Sequence, residues 1–174
     1  MQKDCTLIGF PIESGAGRRG SLMGPDALRV AQLAETIRDL GFEVYDLGNT
    51  AAPRDVPQVA GPDHLVLLSE TVAWTHVIHE AAYELARSES FPIFMGGDHS
   101  MAAGTLTAVS RAAAEKNRPL FVLWLDAHPD MNTLGSTVSG HLHGTPMAYA
   151  MGQDSFEGIF PPVGDPIEPA NVCM

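Results

Sequence analysis

Lysine is nearly missing from this chain. Two occur in 174 residues, and Lys and Arg together number 10 against 21 Asp and Glu, a net charge of −11. Binding to nucleic acid needs clustered cationic side chains that displace counterions, so nucleic acid is not expected as a partner. An acidic surface is compatible with a small cationic substrate. Cysteine is almost as scarce. Cys5 and Cys173 lie in apolar, strand-like segments and form neither a disulfide framework nor a metal knuckle, which points to a reducing, cytoplasmic compartment. No apolar run approaches the ~20 residues that a membrane span requires, and Met1-Gln-Lys-Asp4 lacks the basic and apolar blocks of a signal peptide. What the chain does have is 45% hydrophobic residues with only 18% charged, enough for a core and too apolar for disorder. Its length suits one domain, residues 1–174.

Strand and helix patterns alternate along it. Thr6 to Phe10 reads as a short strand ending at Pro11. A loop follows with glycines at Gly15, Gly17 and Gly20. That spacing matches a dinucleotide fingerprint, but the fingerprint sits on the strand-to-helix turn itself, and here four residues precede the first glycine. A pocket rim is the better reading. Pro25 suits a first helical turn, and the apolar recurrence of Leu28, Ala31, Leu33, Ala34, Ile37 and Leu40 predicts one helix stopped by Gly41. Phe42 to Leu47 reads as a second strand. Asp63 is placed to cap a long helix over 64–88, on which His76, His79 and Glu80 read as part of a half-exposed face. Phe91 to Met95 is a third strand, Met101 to Lys116 a third helix, and Leu120 to Leu125 a strand buried on both faces. A short helix over 144–151, a Pro/Gly loop over 153–169 and an apolar start at Asn171 complete the pattern. This alternation predicts an α/β three-layer sandwich with a mostly parallel central sheet flanked by helices.

Two of these strands run into ligand-type side chains. Gly96-Gly97-Asp98-His99-Ser100 follows one, and Asp126-Ala127-His128-Pro129-Asp130 follows the other. In an extended segment Asp126, His128 and Asp130 share one side. Carboxylates with imidazoles suit Zn, Mn, Fe, Co or Ni rather than calcium, and sites in parallel sheets lie beyond the carboxyl ends of strands. A lone Asp-x-His is often a solvated turn; the two segments together are not.

With Ser139-Gly-His-Leu-His-Gly144 and the Gly-Pro-x-x-Leu-Arg of residues 24–29, these motifs resemble the ureohydrolases, binuclear manganese enzymes, and within them the arginase branch. The resemblance covers essentially the whole chain. It implies hydrolysis of L-arginine to L-ornithine and urea through attack of a hydroxide held between two Mn²⁺ ions. It implies His99 and Asp130 as ligands of one ion, His128 of the other and Asp126 as the bridge. His143 would shuttle protons, and Asn132 and Ser139 would hold the substrate carboxylate. His141 stands where arginases commonly carry Asn and is taken as a further substrate contact. Asp98 is read as fixing its loop, not as a ligand. A homo-oligomer is compatible with the family.

Chemistry accords with that implication. The guanidinium carbon is a poor electrophile because its charge is delocalised, so its hydrolysis needs a nucleophile activated by divalent ions and a proton carrier such as histidine.

The family completes its site with a later Ser-x-Asp-x-Asp segment, which this sequence does not contain; after Asp130 its acidic residues are Asp154, Glu157, Asp165 and Glu168. The chain is therefore expected to be an incomplete domain of this type, with C-terminal strands missing and little or no activity by itself. The alternatives are an agmatinase or other guanidino-acid hydrolase, for which Asn132 and Ser139 would be idle, and a non-catalytic truncated paralogue.

Overall fold

The computed structural model describes residues 4–174, so the signal-peptide reading of Met1 to Lys3 lies outside the described residues. Strand β1, Cys5–Phe10, is the centre of a parallel three-stranded sheet ordered β2-β1-β3, with β2 at Val44–Asn49 and β3 at Phe91–Gly96. All six residues of β1 are buried, because helices cover both of its faces. Ile8 and Phe10 point to one side. There they join Trp74, Ile78 and Ala82 of α3 (Leu68–Arg87) and Ala108 and Ala112 of α4 (Met101–Ala114). Cys5 and Leu7 point to the other, with Val44 and Met95, against Leu33, Ala34 and Ile37. Period-two alternation thus serves two cores from one strand. Both cysteines are free, Cys5 buried and Cys173 exposed.

The expected single helix of residues 25–40 is two: α1, Gly24–Val30, and α2, Leu33–Asp39. Gln32 between them takes φ 61°. Tertiary contacts override the helical recurrence here. Arg29 on α1 is held by both oxygens of Asp46 and also by Asp26 and Asn49, while α2 must lay Leu33, Ala34 and Ile37 on the sheet. The left-handed turn allows both, and it leaves Leu40, expected on the apolar stripe, 72% exposed.

Helix α3 begins at Leu68, not at 64, and Asp63 does not cap it. The intervening residues do other work: the Val66 amide donates to the Gly140 carbonyl at 3.0 Å and holds the loop of Ser139 to His143. On α3, His79 is half-buried, with Nδ1 2.9 Å from the Thr107 hydroxyl and its ring stacked on Tyr83.

The expectation of a doubly buried strand over 120–125 is overturned. Only Val122–Leu123 is strand, here β4, and it pairs in parallel with β5, Val172–Cys173, as a separate two-stranded sheet. Phe121, Leu123 and Leu125 are 71%, 68% and 86% exposed. Val122 and Trp124 face inward on Ala102 and on Met147 of α5, Pro146–Ala150. The run is apolar throughout, yet among the described residues nothing covers the face that carries Phe121, Leu123 and Leu125, and no described strand pairs along the edge between β3 and β4. The architecture is an α/β sandwich with parallel strands between helical layers. No helix among the described residues is long and apolar enough to cross a membrane.

Candidate metal centre

The turn after β3 is docked on the chain that leaves β1. The Gly97 amide donates to the Phe10 carbonyl at 3.1 Å and the Asp98 amide to the Ile12 carbonyl at 2.9 Å. A β-carbon on Gly97 would lie 1.9 Å from the Ile12 carbonyl oxygen; no side chain fits there. Asp98 is buried and fully used inside the fold. Its Oδ1 accepts the Ser100 amide and hydroxyl, and its Oδ2 accepts the Ala16 amide at 2.9 Å. It fixes the turn and the glycine-rich loop together, and so leaves His99 to project beyond the strand end.

The facing segment does not continue as a strand. The His128 amide folds back to Asp126 Oδ1 at 2.8 Å, and Asp130 takes φ 49°. Asp is among the residues that tolerate this left-handed region. The Asp130 carbonyl accepts the amides of Met147 and Ala148 at 3.1 and 3.3 Å, which holds it there. Asp126, His128 and Asp130 therefore do not share a side by simple alternation. Asp130 is buried, Asp126 is partly covered, and the His128 side chain is 81% exposed.

His99, Asp126 and Asp130 meet. His99 Nδ1 is 2.8 Å from Asp130 Oδ2 and 3.1 Å from Asp126 Oδ2, and one donor atom of each lies within 4.8 Å of the others. His128 stays at the edge, its Nδ1 3.4 Å from the other Asp126 oxygen, Oδ1. Asp126 thus presents one oxygen to each imidazole. Asp130 Oδ2 is buried without an aligned hydrogen-bond donor, despite its nearness to the imidazole. Donors held ~2.0–2.2 Å from one cation at right angles sit roughly 3 Å apart, so the spacing and the unsatisfied oxygen both fit a divalent ion. The cluster lies away from the larger clefts; one of about 560 Å³, between residues 52–58 and the start of α3, is lined by none of its members.

Charge on the carboxylates sets the protonation of the imidazole. The Asp130 carboxylate raises the His99 pKa above its ordinary value, burial opposes this, and Asp126 adds to it. The Asp126 carboxyl is lowered, chiefly by the His128 amide and then by the imidazoles of His99 and His128. For His99 the raised folded-state pKa means that the pair stabilises the metal-free chain fully below the usual histidine value. That contribution is lost as pH rises through the folded-state value. Cation uptake has the opposite sign, since a ligand imidazole must be neutral. Mn²⁺ affinity is expected to climb with pH across about pH 5–8, in titrations followed by calorimetry; a flat profile would remove His99 from the ligand set.

The other expected site residues lie on neighbouring loops. The His143 amide donates to the Gly15 carbonyl at 3.2 Å, and its ring stacks on His141, centroids 5.9 Å apart. The His141 ring lies against Gly17, and its Nδ1 is buried without a hydrogen-bond partner. The Ser139 hydroxyl accepts the His141 amide at 3.3 Å. Asn132 is exposed, its amide tied to the Gly144 carbonyl at 3.1 Å. The glycine-rich loop touches the turn of His99 through the Asp98 carboxylate and the histidine loop through Gly15 and Gly17. Trp124, which in the sequence is one residue of an apolar run, also touches the centre: its ring stacks on His99.

Residues 3–160 match the family model described as the Arginase family. The arginase of Brucella melitensis is 53% identical over 171 residues, which are 98% of this chain and 55% of that protein. Among solved structures, an arginase from Bacillus subtilis superposes with a TM-score of 0.77 at 34% identity, covering 98% of this chain and 54% of that one. An arginase from Bacillus caldovelox superposes with a TM-score of 0.80 at 32% identity, covering 98% and 56%. The chain spans about half the length of the curated relatives it matches.

Proposed function

The chain belongs to the arginase family, and from that premise we propose that it carries the first part of a manganese-dependent guanidino-hydrolase site acting on L-arginine to give L-ornithine and urea. The observation that carries the reading is the meeting of His99, Asp126 and Asp130 around one buried, unsatisfied carboxylate oxygen.

His99 and Asp130 would hold one Mn²⁺, His128 the second, and Asp126, with an oxygen toward each imidazole, would serve both. Divalent ions at such a site supply Lewis acidity and lower the pKa of water held there. The residues of the chain do the rest. The two aspartates offset cationic charge and favour a guanidinium nearby. The ring nitrogens of His143 carry a proton toward the departing amine nitrogen. Asn132 and Ser139 donate hydrogen bonds to an amino-acid carboxylate without adding charge, and His141, on the same loop as Ser139, is the third substrate contact. A substrate without a carboxylate gains nothing from these three residues, which favours arginine over agmatine.

Manganese stoichiometry tests this. Four ligand side chains suffice for one well-held ion and leave the second short of carboxylates, because a site needs its full ligand count. Elemental analysis of the purified 174-residue chain is expected to find about one Mn²⁺ per chain or less, and arginine turnover near background. Two tightly held ions per chain would contradict this assignment of the ligands. In a longer protein that contains this sequence, agmatine hydrolysis equal to arginine hydrolysis would contradict the substrate.

A further inference from the structure

We infer that Trp124 is a positioning residue of the metal centre, setting the plane of the His99 imidazole with its ring and the course of the Asp126–Asp130 loop with its indole N–H. The inference rests on the metal reading above and goes beyond it, because Trp124 is neither a ligand nor a substrate contact.

Three separate contacts converge on this residue, two of them through its side chain. Its ring lies almost parallel to that of His99, with centroids 4.6 Å apart and planes inclined by 15°. Its Nε1 donates to the His128 carbonyl at 3.0 Å, the middle residue of the Asp126–Asp130 loop. Its own backbone amide donates to the Cys173 carbonyl at 2.8 Å, which extends the β4–β5 ladder by one bond. The ring is only 7% exposed and packs on Ala102 and Met147. Ala102 lies on the first turn of α4, three residues after His99. Met147 belongs to the short helix that holds the Asp130 carbonyl. One rigid side chain therefore touches both ligand-bearing segments and the supports of each.

The chemistry explains why tryptophan suits the place. His99 is partly exposed and sits on a turn, so its ring would otherwise rotate about the Cα–Cβ and Cβ–Cγ bonds. A flat aromatic face restricts that rotation and favours one orientation of Nδ1. The loop carrying Asp126 and Asp130 has no strand partner of its own, and the indole N–H is a donor only, which suits a bond to a backbone carbonyl. Partners that orient ligands in this way affect affinity strongly although they never touch the ion.

The two contacts can be separated. Trp124→Phe keeps an aromatic face and removes the N–H; Trp124→Leu removes both and keeps a smaller apolar side chain. Mn²⁺ affinity of the 174-residue chain, measured by calorimetry at fixed pH, is expected to fall about 3–10-fold in the first and about 10–100-fold in the second. The ring protons of His99 in the metal-free chain are expected upfield in the NMR spectrum. That shift should be largely kept in Trp124→Phe and abolished in Trp124→Leu. A general packing defect would lower the melting temperature without this ordering, and Trp124→Phe controls for it by keeping the fold. Wild-type affinity in a folded Trp124→Leu chain, or His99 ring shifts that do not respond to either change, overturns the inference while leaving the metal reading in place. Failure of the wild-type chain to take up Mn²⁺ at millimolar concentration overturns the metal reading itself, and with it any positioning role.

Discussion

Asp130→Asn is expected to abolish useful metal uptake while leaving the fold intact. Loss of a supporting partner typically weakens metal sites 10–100-fold. Loss of a ligand carboxylate that is buried and aimed at the ion should exceed that, so a decrease in Mn²⁺ affinity beyond about 100-fold is expected by calorimetry. The fold should tolerate the change for two reasons. Asparagine, like aspartate, accepts the left-handed backbone found at φ 49°, so the bonds from Met147 and Ala148 to the residue 130 carbonyl persist. In addition, the carboxylate is buried with one oxygen unsatisfied, so removing its charge relieves a desolvation cost. Above the raised pKa of His99, where the imidazole is neutral, the metal-free variant should melt no lower than the parent chain; below the usual histidine value it should melt lower, because the His99–Asp130 pair is lost. Asp130→Ala should lose the metal equally and be less stable by about 1 kcal/mol, because alanine is penalised in the left-handed region. Retention of affinity within tenfold in Asp130→Asn would show that Asp130 is structural and that the ligand set has been misread.

Gly97→Ala is expected to damage stability and metal binding together. The β-carbon would meet backbone atoms of Ile12, its carbonyl oxygen at 1.9 Å, and backbone cannot swing aside as a flexible side chain can. The turn would have to separate from the chain leaving β1, breaking the amide bonds from Gly97 to Phe10 and from Asp98 to Ile12. The cost should be about 3 kcal/mol or more, at the upper end of overpacking effects, and is measurable as a lower midpoint in urea. Because the same movement carries His99 away from Asp126 and Asp130, Mn²⁺ affinity should fall even where the variant remains folded. A wild-type midpoint and wild-type affinity would mean that the turn is looser than its contacts suggest.

The two predictions concern residues whose importance differs in visibility. The strand ends were legible in the sequence because apolar β-formers running into Gly-Gly-Asp-His-Ser and Asp-Ala-His-Pro-Asp leave few other readings. The succession of strand and helix, with Thr6 to Phe10 as a short strand, was legible for the same reason: local pattern and local environment agree there. Where they part, the sequence misleads. Nothing local distinguishes Leu33, which packs on the sheet, from Leu40, which faces solvent; the difference comes from Arg29 anchored on Asp46, 17 residues away. The run from Leu120 to Leu125 is apolar on both sides, as a central strand should be, but no layer among the described residues covers its outer face. Asp126, His128 and Asp130 alternate in sequence, yet the backbone turns between them. Trp124 was hidden because its role depends on a histidine 25 residues earlier and a carbonyl four residues later, neither of which any periodicity reports.

The pairing of β4 with β5 gives the centre a timetable. Val122 pairs with Val172, 50 residues later, and the next bond in that ladder anchors Trp124. During synthesis at about 5–20 residues per second, His99, Asp126 and Asp130 have all been made for roughly 2–9 s before Cys173 follows and their brace can lock. Throughout that interval the nascent chain offers loose carboxylates and imidazoles to any cation. On the positioning role inferred for Trp124, the full affinity of the centre is expected only after Val172 and Cys173 have emerged.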